Sequence, residues 1–129
     1  MKTNCSTFKN QIEKILTKHN LLEEFKIKQE FHAKFSKEGF LPLVIERHGD
    51  RVSVTHYFEQ NGDLIPDPDM ELLIGIDGEW YPVAIQFATG HYAQARFWKD
   101  GKEFIVPREI RDQIRFSSMW AKNLKWQGY

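Results

Sequence analysis

Asp63, Asp67, Asp69 and Glu71 place four carboxylates within nine residues, between the pair Asn61-Gly62 and an apolar run that starts at Met70. Oxygen ligands of this kind suit hard divalent cations such as Mg²⁺, Mn²⁺ or Ca²⁺, so Asp67, Asp69 and Glu71 are candidate metal ligands. Their spacing matches no calcium-binding loop. A structural explanation competes. Asn61-Gly62 turns readily, Asp side chains bond local backbone groups, and Pro66 and Pro68 hold the chain extended. Leu64 and Ile65 then anchor a shaped connection or recognition loop, with Asn61, Asp63, Ile65 and Asp67 as the residues a partner would meet.

The flanking elements decide which of these side chains meet. FLPLVIERHGDRVSVTHYFE reads as two strands joined by a two-residue turn at Gly49-Asp50. That register sets His48 against Arg51, Glu46 against Ser53, Ile45 against Val54 and Leu43 against His56. One face then holds Leu41, Leu43, Ile45, Val52, Val54, His56 and Phe58. The other holds Glu46, His48, Ser53, Thr55, Tyr57 and Glu59. His56 thus reads as a hydrogen-bonded core histidine rather than a catalytic one. In MELLIGIDGEWYPVAIQF a turn at Asp77-Gly78 sets Leu72 opposite Val83, Ile74 opposite Tyr81, Glu71 opposite Ala84 and Asp69 opposite Gln86. Asp69, Glu71 and Gln86 therefore share a face.

That trio, following Pro68, resembles the PD-(D/E)xK nuclease arrangement, in which acidic groups hold a divalent ion and a lysine assists attack by water on a phosphodiester. Gln86-Phe87-Ala88 stands where the acid-x-Lys portion belongs, so the resemblance implies at most a degenerate metal-dependent nuclease or phosphodiesterase with Mg²⁺ or Mn²⁺ and Asp69, Glu71 and Gln86 as its catalytic candidates. The chain carries no GxSxG, HExxH, phosphate-binding Gly-rich loop or dinucleotide fingerprint.

Toward the ends, Phe8, Ile12, Ile15, Leu16 and Leu22 recur at helical spacing, predicting a helix from residue 7 to about 20 with Ser6 or Thr7 as its cap and Asn20 as its stop. Phe25, Ile27, Phe31, Ala33 and Phe35 alternate as in a strand. Thr89-Gly90 turns the chain into HYAQARFW, and KDGK at 99 to 102 turns it again. Pro107 opens a closing helix whose Ile110, Ile114, Ser117, Ala121 and Leu124 face inward. Its other side carries Arg108, Arg111, Arg115 and Lys122, an alternative surface for nucleic acid or an acidic protein. Trp120 and Phe116 are expected at the edge of the core. The prediction is an α+β fold, a mainly antiparallel meander sheet with an N-terminal and a C-terminal helix, in a single domain over 1–129.

With 129 residues, 41% of them hydrophobic and 14% aromatic, the chain has material for one core. The lone Cys5 excludes an intramolecular disulfide or a cysteine zinc set, which fits the cytoplasm, and no signal-peptide or membrane-span pattern appears. Net charge is zero, yet it is segregated: residues 1–38 carry eight Lys and five acids, 39–90 two Arg and nine acids, 91–129 eight bases and four acids.

HYFEQNGDLIPDPDMELL resembles a segment shared by small bacterial proteins of unknown function, often carried on plasmids and other mobile elements, close to H-Y-aromatic-E-Q-N-G-D-L followed by D-P. The resemblance is strongest over residues 40 to 87. It implies an α+β domain in a bacterial or phage setting and brings no activity with it. The resulting expectation is a small cytoplasmic binding or accessory protein, without a required cofactor, acting through a protein partner and not at a membrane.

Overall fold

The computed structural model describes residues 3–129. Helix α1 (Ser6–Lys18) and the short α2 (Leu22–Ile27) precede β1 (Glu30–Phe35), β2 (Leu43–His48), β3 (Arg51–Gln60), β4 (Asp63–Ile74), β5 (Trp80–Gln86) and β6 (Tyr92–Gln94). These six strands form one antiparallel meander in sequence order. A two-stranded ribbon, β7 (Arg96–Lys99) and β8 (Lys102–Ile105), leads into α3 (Pro107–Gln127). The fold is α+β, as the order of periodicities predicts.

Period-two burial makes the sheet one-sided. Leu43, Ile45, Val52, Val54, Met70 and Leu72 are fully buried, in one cluster with Phe8, Ile12, Ile15 and Leu16 of α1 and Ile110, Trp120 and Leu124 of α3. Each such aliphatic side chain contributes on the order of 1.5–3 kcal/mol through its removal from water. Both long helices therefore cover the inner face, and the other face is mostly polar, with Val44 and Ala84 as buried exceptions.

Three local readings change. The first helix starts at Ser6 without a hydroxyl cap; the Asn4 side chain accepts the Ser6 N–H instead, at 3.2 Å. Phe25 and Ile27 belong to α2, not to a strand: Phe25 is the buried anchor of that turn, Glu23 and Glu24 sit favourably in its first turn, and Ile27 is exposed. HYAQARFW breaks at Ala95, whose N–H bonds to the Val83 carbonyl at 2.7 Å while its own carbonyl accepts from Val106 N–H at 2.8 Å. The chain thereby leaves the main sheet.

The turns decide register. Gly49, at φ +62°, occupies the first position of the tight β2–β3 turn, and Leu43 pairs His56 as expected. Asn61 and Gly62, at φ +53° and +84°, make the primed turn between β3 and β4, so the DLIPDPD segment is a β-strand rather than a loop. At β4–β5 the turn is not the two-residue one. Gly75 N–H bonds Glu79 O at 2.8 Å around Ile76, Asp77 and Gly78, which moves Ile74 opposite Trp80 and Leu72 opposite Pro82. Val83 then bulges out of the ladder and restores Glu71 opposite Ala84 and Asp69 opposite Gln86.

Candidate functional site

Strand registers align a row across the outer face of the whole sheet: Lys34, Val44, Thr55, Asp69, Gln86 and Tyr92. The adjacent row is His32, Glu46, Ser53, Glu71, Ala84 and Gln94. Asp69, Glu71 and Gln86 thus share a face. Ser53 and Thr55 each donate a hydroxyl hydrogen bond of 3.0 Å to the same oxygen of Asp69. Thr55 is only 2% exposed, so this carboxylate is its internal acceptor. Burial, then the nearby Asp69 and Glu46 carboxylates, push the Tyr57 phenol above its ordinary range.

Glu71 is engaged differently. It accepts from Arg51 Nη1 at 2.8 Å, and the Arg51 guanidinium lies over the Trp98 ring at 4.5 Å, so the β7–β8 ribbon is tied to this face. Gln86 is exposed. Asp67 lies at an irregularity where β4 has an extra residue relative to β3, next to the cis Asp67-Pro68 bond; its oxygen accepts from Ala88 N–H at 3.0 Å. Among the described residues no group of three or more His, Cys, Asp or Glu side chains is placed to hold a metal ion. Chemically the face is held by the two hydroxyl bonds to one Asp69 oxygen and by the Arg51–Glu71 and His48–Glu46 pairs.

His56 sits on the inner face, 7% exposed, with its Nδ1 3.2 Å from the Pro42 carbonyl and its ring beside Trp120 and Tyr129. Burial lowers its pKa from 6.5, against the raising influence of Pro42 and of Asp67. His48 is the opposite case. Nδ1 contacts Glu30 at 2.5 Å and Nε2 contacts Glu46 at 3.2 Å, a pairing that needs both nitrogens protonated. The Glu30 hydrogen bond first, then that of Glu46, raises its pKa above 6.5.

The two histidines therefore act on stability in opposite directions. The His48 contribution is complete below pH 6.5 and fades as pH rises through its raised folded value. The His56 contribution is complete above pH 6.5 and is lost as pH falls through its lowered folded value. An NMR titration of the imidazole carbons should give a midpoint above 6.5 for His48 and below 6.5 for His56. The reverse order would refute both placements.

Beyond this face, β3 and β4 outrun their neighbours. The last β2 partner of β3 is Leu43 at His56, and the last β5 partner of β4 is Gln86 at Asp69. Tyr57 N–H still bonds the Pro42 carbonyl at 3.3 Å, and beyond it residues 58–60 and 63–65 project as a two-stranded arm with the Asn61-Gly62 turn at its tip. Leu64 is 64% exposed there, and Asn61 and Asp63 are also exposed. Arg108, Arg111, Arg115 and Lys122 lie exposed on α3, with Arg108 3.9 Å from Asp112.

A protein-family model, Domain of unknown function (DUF6908), matches residues 10–129. The chain belongs to that family. The match extends well past the segment that carried the bacterial resemblance and takes in α3 and all of α1 from residue 10 onward. No curated protein and no solved structure matches the chain. Among the described residues no helix is long and apolar enough to cross a membrane.

Proposed function

We propose that this protein is a binding module that engages a protein partner through the projecting β3–β4 arm. The observation that carries the reading is an apolar side chain, Leu64, held 64% exposed on an arm that neighbouring strands do not support. An arm of this kind gives up part of the sheet ladder, which contact with a partner restores as buried area. Glu59, Asp63 and Asp67 surround Leu64 and Ile65, and from residue 57 to 69 no Lys or Arg occurs. The complementary partner has an apolar recess rimmed by basic groups. Pro66 and Pro68 remove two N–H donors from β4, so recognition runs through side chains rather than strand addition on that edge.

The cellular setting that goes with this reading, a bacterial cytoplasm and a mobile genetic element, is supported by the HYFEQNGDLIPDP segment and the single cysteine. Immobilised protein should retain a partner from native lysate, and the complex should reform from purified components. Leu64→Asp should weaken it about tenfold or more, the effect of losing one central anchor, with unchanged circular dichroism. Equal affinity in the variant, or no partner in repeated captures, would overturn the proposal.

A further inference from the structure

The helix layer carries a second surface, of opposite sign to the arm. Three hollows of about 460, 140 and 290 Å³ adjoin one another, the first two through Lys18, Gly128 and Tyr129 and the last two through Gln11, Lys14 and Lys125. Together they make a groove along the seam of α1 and α3. Its cationic lining is Lys14, Lys18, Lys34, Lys37, Lys122 and Lys125, and no Asp or Glu side chain lines it. Among the described residues none of these six lysines forms an ion pair with a carboxylate; Lys18 and Lys37 instead donate to the Gly128 carbonyl, at 2.8 and 3.3 Å. In a chain of zero net charge this is where unpaired positive charge collects. From residue 113 onward α3 has no acid at all.

The exposed side of α3 extends the same surface. At about 100° per residue, Arg111, Arg115, Lys122 and Trp126 fall on one stripe next to Lys125. Trp126 is 80% exposed and touches Phe40 only edge-on, so its ring is open beside the lysines. Cations on both sides of a groove, with an open indole one helical turn beyond Lys122 on α3, meet the two demands of a flexible polyanion with stackable bases: charge that tracks the backbone and an aromatic platform.

We propose that the α1–α3 groove binds single-stranded nucleic acid, its phosphates contacting Lys14, Lys18, Lys122 and Lys125 and a base stacking on Trp126. This site is separate from the arm and goes beyond the protein-binding reading; either stands if the other fails. An acidic polypeptide would use the lysines but has no need of the indole, and a duplex would present its bases already stacked.

The test is fluorescence anisotropy of a labelled oligothymidylate titrated with the full chain. Affinity should fall about 50-fold between roughly 50 and 200 mM salt if about four phosphates are contacted. Lys14→Gln, Lys122→Gln and Lys125→Gln together should cost about tenfold or more and flatten the salt dependence, whereas Arg at the same positions should retain binding. Trp126→Ala should lose about fivefold or more, with quenching of its fluorescence in the parent protein. All four side chains are exposed, and circular dichroism verifies that the variants fold. No anisotropy change at low salt, an unaffected lysine variant, or tighter binding of duplex, polyglutamate or anionic vesicles would overturn the assignment.

Discussion

Trp120→Ala should destabilise the protein by about 3–5 kcal/mol, the range for removing a fully packed Trp from a core. Its indole is 4% exposed and stands where both long helices meet the sheet. Phe8 of α1 stacks on it at 5.2 Å, His56 of β3 lies at 5.5 Å and Phe116, one turn earlier on α3, at 5.9 Å. No smaller side chain fills the space left between three elements, so the cavity cost adds to the lost transfer energy. For a domain whose whole stability is about 5–15 kcal/mol, such a loss approaches unfolding. Urea denaturation followed by circular dichroism measures it. Trp126→Ala on the same helix is the control and should change stability by less than about 1 kcal/mol, because that ring is largely solvated. Similar losses in the two variants would mean that Trp120 is not the junction of the core.

Asp69→Ala should cost about 1–3 kcal/mol, while Asp69→Asn should cost less than half of that. Alanine leaves the Ser53 and Thr55 hydroxyls without their common acceptor, and the Thr55 hydroxyl has almost no access to water. Asparagine keeps a carbonyl oxygen in the same place. The comparison also separates a structural carboxylate from a metal ligand. A ligand in a Mg²⁺ or Mn²⁺ site would lose cation binding in the Asn variant and keep its fold in both. Equal and negligible stability changes in Ala and Asn would remove the hydrogen-bonding role. Saturable Mn²⁺ broadening at Asp69, Glu71 and Gln86 would then bring the phosphodiesterase reading forward.

How much of the arrangement could be read beforehand differs from hairpin to hairpin. For β2–β3, the period-two placement of Leu43, Ile45, Val52 and Val54 and a central Gly49-Asp50 determine the register, and with it the burial of His56. For β4–β5 the expected pairs Asp69–Gln86 and Glu71–Ala84 occur, but through two compensating offsets, a three-residue turn and the Val83 bulge. The turn is set by Asp77, whose side chain accepts the Glu79 N–H at 3.0 Å and stabilises the longer loop. The bulge follows Pro82, which has no N–H to give a regular ladder. Asn61-Gly62 between hydrophobic runs was the available signal for the β3–β4 hairpin, and the two prolines obscured it.

The projecting arm had no signal in composition. Its existence depends on where β2 and β5 end relative to β3 and β4, and strand ends are set by what the neighbouring elements cover. The lysine groove is similar: Lys14 and Lys18 belong to one terminal segment and Lys122 and Lys125 to the other, and only packing of α1 on α3 brings them together.

By itself, then, the sequence determined the α+β class, the antiparallel order, the inward faces of α1 and α3 and the polar face around Asp69, because these follow from local periodicity and turn chemistry between chain neighbours. Tertiary structure alone decided the convergence of two hydroxyls on one Asp69 oxygen, the pairing of Glu71 with Arg51 under Trp98, the length of the arm and the gathering of lysines from both ends of the chain. Each of these joins residues distant in sequence, and their relative positions come from how the helices and the β7–β8 ribbon settle on a sheet whose twist and bulges no local pattern encodes.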